Sequence, residues 1–362
     1  MGKRITTVLG DIAPEQLGKT SMHEHVLMNG RVLHDGWRRS YHGPLPMDPE
    51  TPMSIENVGF IAHNGMCTYD AVDLQDEELM MGEVADFKEA GANAMTECSA
   101  IGLRCNMEGV KRIAAANGVH IVPCTGFYAQ ESLPPRYLHL EVEDYYKVMM
   151  DEVKNGIEGT GIYPGFVKIA MNGFTQTEEN TLRAAARVAK ETGLSLTVHP
   201  SWKVGADAVK VVEVVIEEGA DPTRLVIAHV GSSFVECDLR KLVTMPEKWG
   251  LNLDTVHRLL SFGTTVCSEF LGQSVADELN GFISTNDFQR LAGFYALIKE
   301  GYASQIVLGT DLCCKMLTRR YGGQGYLRLW NFVIPTMTQF LGISERVIRQ
   351  IFVDNPARML AW

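Results

Sequence analysis

The chain lacks a Cys-x-x-Cys pair, a run of five basic residues, and any stretch near ~20 consecutive apolar residues. The last absence excludes a membrane-spanning helix. Without a basic cluster, and with a net charge of −11, neither nucleic acid nor an anionic membrane surface is an expected partner; the acidity serves solubility. The eight cysteines (67, 98, 105, 124, 237, 267, 313 and 314) sit in several cases inside apolar runs such as HIVPCTG and TTVCSEF. That pattern predicts reduced, buried thiols in a cytoplasmic protein rather than a disulfide framework. The opening MGKRITTVLGD has no apolar stretch of signal-peptide type, and MGKRIT fits a myristoylation pattern only loosely. No Gly-x-Ser-x-Gly elbow occurs, and no Gly-x-Gly-x-x-Gly follows the first strand-like run. These absences speak against a serine hydrolase and a dinucleotide enzyme.

What is present is an ordinary globular composition, 46% hydrophobic and 21% charged over 362 residues. No Pro/Gly/Ser-rich linker divides the chain, so residues 1–362 read as one domain. Short β-rich apolar runs recur: Thr20–His25, Ala92–Cys98, Val119–Thr125, Gly165–Met171, Leu194–His199, Leu225–Val230, Thr264–Phe270 and Gln305–Asp311. Continuous apolar runs of this length suit strands of a parallel sheet covered on both faces. Several follow a glycine of helix-ending type, as in KEAGAN, AANGVH and KETGLS. Amphipathic stretches such as TEENTLRAAARVAKE lie between them. Eight such units predict an α/β fold, a (β/α)8 TIM barrel, with a doubly wound open sheet as the alternative. A typical barrel takes about 250 residues. Much of the surplus is a long insertion after the first strand, about residues 28–76, which reads equally well as a lid or as a surface layer.

In such barrels the site lies at the C-terminal ends of the strands. There the sequence places His23 and His25, Lys168, His199, His229 and Asp311. Residues two apart on a strand share a side, so His23 and His25 face the interior and Glu24 points toward the helices. Four imidazoles at strand ends make a metal site, since burying them without partners would cost several kcal/mol. Lys168 cannot ligate a metal as an ammonium. Either it points outward to a carboxylate, or its amine takes up CO₂ and becomes a bridging carbamate. Asp311 reads as a metal ligand and proton acceptor, or as a helix N-cap.

The set HEH at 23–25, FVKIA with Lys168, TVHP with His199, IAHV with His229 and LGTD with Asp311 resembles the phosphotriesterase family of the amidohydrolase superfamily. The opening TTVLGDIAPEQLGKTSMHEHV and the closing FVDNPARML share the resemblance, which spans about residues 5–360. It implies two divalent ions, zinc first, with manganese, cobalt or iron served by the same donors. By the resemblance His23, His25 and Asp311 hold the more buried ion, and His199 and His229 the more exposed one. Lys168, as N6-carboxylysine, and a hydroxide bridge them. A homodimer is likewise implied by the family alone.

The expected activity is hydrolysis of a lactone or related ester, with Asp311 and Lys168 as catalytic groups. A phosphotriesterase or amide-bond hydrolase is the alternative on the same site, and a non-catalytic metal-binding barrel the alternative of another class. A phosphorylated sugar lactone is suggested by Lys315, Arg319, Arg320 and Tyr321 after the eighth strand, where arginines could grip an anion; surface charge or subunit contact is the plainer explanation of them. Tyr128 and Trp202 are further candidates for the substrate pocket, with core packing as the plain alternative.

Overall fold

The computed structural model describes residues 2–201, 206–270, 272, 277–282 and 285–362. Eight parallel strands form one sheet in chain order. They span Thr20–Glu24, Ala94–Glu97, His120–Thr125, Phe166–Ala170, Leu196–His199, Leu225–Ile227, Thr265–Glu269 and Ile306–Gly309. Each lies inside one of the apolar runs read from the sequence. The Asp311 N–H donates to the His23 carbonyl at 2.9 Å, joining the eighth strand to the first and closing the barrel.

Helices cover the outside, and their ends follow local chemistry. Gln176–Thr192 starts on a capping box between Thr175 and Glu178 and stops at Gly193 with φ 79°. The larger apolar core packs between strands and helices. A second core fills the barrel itself with Cys98, Val122, Cys124, Val226, Cys267 and Val307. Terminal residues seal its lower end: Ile5, Met359 and Leu360 join this core, and Arg4 and Trp362 exchange backbone hydrogen bonds of 3.1 and 3.0 Å. All eight cysteines are free thiols. No described helix is long and apolar enough to cross a membrane.

Two glycines fix how closely the strand ends approach. A Cβ on Gly309 would meet His23 backbone and Cβ atoms at 2.7–2.8 Å. A Cβ on Gly126 would lie 1.9 Å from the Lys168 carbonyl oxygen, and its φ of 131° is one that L side chains rarely adopt. The long insertion leaves and returns through a short antiparallel pair, Met28–Asn29 with Asp73–Leu74. Within it lie the helices Arg31–Ser40 and Val58–His63. Trp37 Nε1 donates to Asp277 at 2.9 Å, and Leu279 N–H donates to Asn64 at 3.1 Å. These bonds tie the insertion to the loop beyond the seventh strand, across the barrel mouth.

Candidate metal centre

His23 is the last but one residue of the first strand and His199 ends the fifth, while His25, His229 and Asp311 stand one or two residues past theirs. His229 (φ 60°) and Asp311 (φ 51°) adopt left-handed backbone, a conformation costing a non-glycine residue of order 1 kcal/mol. His25 Nε2 lies 3.3 Å and His23 Nε2 3.8 Å from Asp311 Oδ1. The His199 and His229 rings are 4.4 Å apart edge to face, and His23 is 4.9 Å from His229. Ligand atoms of His23, His229 and Asp311 fall within 4.8 Å of one another.

The tautomers follow from who holds Nδ1. Glu269 lies 2.9 Å from Nδ1 of both His23 and His229, and Ser99 Oγ lies 2.8 Å from Nδ1 of His25. With Nδ1 occupied, the Nε2 lone pairs remain for the centre. Burial, reinforced by the nearby Lys168 amine, pushes His23 down to about 4, so it is a neutral donor at pH 7. Burial likewise drives His199 well below its ordinary value. Burial alone would raise Asp311, but His23, His25 and His229 around it hold the carboxyl well below the usual range.

Two polar atoms here lack any partner among the described residues: Lys168 Nζ and His229 Nε2. Lys168 is wholly buried, so the outward-pointing reading, paired to a carboxylate, does not hold. A buried polar group without a partner costs a few kcal/mol, more if charged. Imidazoles turned toward one another, an ionised carboxylate and an amine without a partner among them form a donor set that suits first-row divalent ions.

Three carboxylates that the ligand reading passed over surround this set. Glu269 ends the seventh strand, in the run TTVCSEF, and orients one histidine of each proposed pair. The signal was a carboxylate at a strand end, the same rule that finds His199. Glu97 on the second strand accepts N–H bonds from Val26 and Ser99. Glu24 is a correction. It does not face the helices idly: the register shifts between Ser21 and Glu24, and its carboxylate accepts from Thr310 N–H and Oγ1 and from Leu312 N–H. It thereby locks the Asp311 turn to the first strand.

A cavity of about 910 Å³ opens above the cluster, with His23, His25, His199, His229, Asp311 and Tyr128 in its wall. The Tyr128 ring is 5.6 Å from that of His199, and burial raises its hydroxyl far above its ordinary value. The loop after the eighth strand departs from expectation. Of Lys315, Arg319, Arg320 and Tyr321, none lines this cavity. Lys315 pairs with Asp70, Arg319 with Asp86, and the ring of Tyr321 packs on the core. The Lys315 and Arg319 charges are met by carboxylates and Arg320 is exposed outside this cavity, so none of the three grips an anion beside the histidines. Trp202 lies outside the described residues.

Comparison with known proteins bears on the fold and the family. A phosphotriesterase-related protein from Nematostella vectensis is 27% identical over 365 residues, covering 98% of each chain. The N-acetyltaurine hydrolase of Xenopus tropicalis is 28% identical over 99% of this chain and 98% of its own. A resiniferatoxin-binding protein from Rhodobacter sphaeroides superposes with a TM-score of 0.85 at 27% identity, over 99% of this chain and 94% of that one. A Listeria monocytogenes lactonase shares the fold, with a TM-score of 0.76 at 22% identity over 99% and 98% of the two chains. The sequence model of the phosphotriesterase family matches residues 3–360, and the chain, a hydrolase by its relatives, belongs to that family.

Proposed function

We propose that the chain hydrolyses a carboxylic ester, lactone or amide at a binuclear metal centre held by His23, His25, His199, His229, Asp311 and Lys168. The observation that carries this reading is the buried Lys168 amine, without an acceptor, set among imidazoles whose Nδ1 atoms are held. Addition of the neutral amine to CO₂ forms an N–C bond, releases a proton and leaves a carboxylate on a long arm. That carboxylate would be able to ligate divalent ions where the amine could not. Bound divalent ions would polarise the substrate carbonyl and lower the pKa of a water to about 7.

The chain's own residues supply the rest. Asp311, ionised at neutral pH, takes the proton of the attacking water and passes it to the leaving oxygen or nitrogen. Glu269 keeps the His23 and His229 rings in one orientation through the cycle. Tyr128, beside His199 in the cavity wall, donates its hydroxyl to the developing oxyanion. Val32, Leu33 and Trp37 of helix Arg31–Ser40 line the cavity beside the histidines and give the substrate an apolar wall. The N-acetyltaurine hydrolases among the relatives favour an amide as the bond cleaved. Metal analysis of pure protein and a panel of lactones, N-acyl amides and phosphate triesters test the reading. It predicts two ions per chain and kcat/KM highest for a carbonyl substrate; fewer than one ion, or preference for the triesters, contradicts it.

A further inference from the structure

His23 and His25 stand two residues apart, yet different groups hold them. Glu269 takes Nδ1 of both His23 and His229, so it serves both proposed ion positions. His25 Nδ1 meets Ser99 Oγ instead, at 2.8 Å, and its Nε2 lies 3.3 Å from Asp311 Oδ1. Next to Ser99 stands Glu97, the last residue of the second strand. Its carboxylate takes the Ser99 N–H at 2.9 Å, the Ser99 side chain, and the N–H of Val26, the residue after His25. All three are donors, the surroundings that suit an ionised carboxylate. Glu97, Ser99 and His25 are buried, where such bonds are stronger than in water. Glu97 thus grips His25 at two points, the backbone through Val26 and the ring through Ser99. The hydroxyl gives its own proton to Glu97 and keeps a lone pair for the His25 Nδ1–H, which leaves the Nε2 lone pair on the Asp311 side. If Glu97 only closed the strand end, its bonds to the two backbone N–H groups would suffice. The bond to the Ser99 side chain satisfies no backbone group; what it fixes is one imidazole.

We infer that Glu97 is a positioning residue that acts through Ser99 on the His25 ring, and so sets the affinity of the ion beside His23, His25 and Asp311 but not that of the ion beside His199 and His229. The inference rests on the binuclear reading above and adds to it that the two positions are tuned separately. Glu269 governs both, because it orients one histidine of each pair. Glu97 and Ser99 govern one.

The test titrates cobalt(II) alone into metal-free full-length protein against a competing chelator. Cobalt absorbance reads the two affinities, and anomalous peaks from crystals at limiting cobalt show which position fills. Ser99→Ala keeps both backbone bonds to Glu97 and removes only the acceptor of the ring. It should weaken one affinity about 10- to 100-fold and the other by no more than about twofold. The peak that loses occupancy should be the one at His23, His25 and Asp311. Glu269→Gln in the same titration should weaken both ions. Ser99→Thr, which keeps a hydroxyl, should bind cobalt as the parent does. Should Ser99→Ala fail to fold, Ser99→Cys keeps the volume, offers only a weak acceptor and carries the same expectation. Glu97→Gln should weaken the same ion as Ser99→Ala, and the double variant should lose no more than Glu97→Gln alone, since one residue works through the other. If Glu97→Gln fails to fold, the Ser99 variants decide. Several results overturn the inference and leave the binuclear reading intact: unchanged affinities, equal loss of both ions, loss of the ion at His199 and His229, or Ser99→Thr as weak as Ser99→Ala. A parent protein that takes up no cobalt removes both.

Discussion

Two groups of titratable residues stand on or just after the barrel strands, and they differ in how they are satisfied. At the barrel axis, Lys168 Nζ and His229 Nε2 are buried without a partner. In the loop after the eighth strand, Lys315 is paired with Asp70 and Arg319 with Asp86. Both groups look chemical in the sequence. Folding spends the charges of the second on holding the loop, and leaves the first short of a counter-group. An unmet electrostatic need inside a packed barrel is what marks a place for ions.

The contrast can be broken or sharpened by mutation. Lys168→Ala should have the largest effect, a loss of about 10³-fold or more in kcat/KM, with bound metal falling from two ions per chain to one or none. Propionate should restore part of the activity by standing in for the missing carboxylate. Asp311→Asn should cost about 10²- to 10⁴-fold in kcat/KM, the range for a lost proton-transfer group. Glu269→Gln leaves one acceptor oxygen for two ring N–H donors and removes the charge, and should weaken metal affinity about 10- to 100-fold in a metal-buffer titration. Lys315→Ala, in the satisfied group, should change kcat/KM by no more than about threefold, and lower stability by about 1 kcal/mol in urea unfolding.

The smallest effect is one of pH. Glu83, which accepts the Arg319 N–H, is pushed by burial up to about 7 from an ordinary 4.5. A carboxyl with a raised folded-state pKa binds its proton more tightly when folded. Its contribution is therefore fully present below pH 4.5 and is lost as pH rises through about 7. Glu83→Gln should remove that loss, so the Tm of the variant relative to the parent should climb between pH 5 and pH 8. A difference that stays flat across that range would place the Glu83 carboxyl in a wetter setting.

The strands and their end residues were legible because both follow local rules. Apolar runs bounded by glycine-ended helices give the eight strands, and donor residues near their C-terminal ends give the side chains that meet at the barrel mouth. Glu24 escaped because a period-two rule ignores the register shift that turns it onto Thr310. The insertion escaped for a different reason. Which face of helix Arg31–Ser40 meets the cavity is set by a bond from Trp37 to a residue 240 positions away. The loop after the eighth strand was misread because its partners, Asp70 and Asp86, belong to segments that only the closed barrel brings near.

Anomalous diffraction from metal-replete crystals tests the central claim most directly. Two peaks are predicted, one among His23, His25 and Asp311 and one beside His199 and His229, with extra density on Lys168 Nζ joining them. An unmodified Lys168 with no peak inside the ring of histidines would contradict the account.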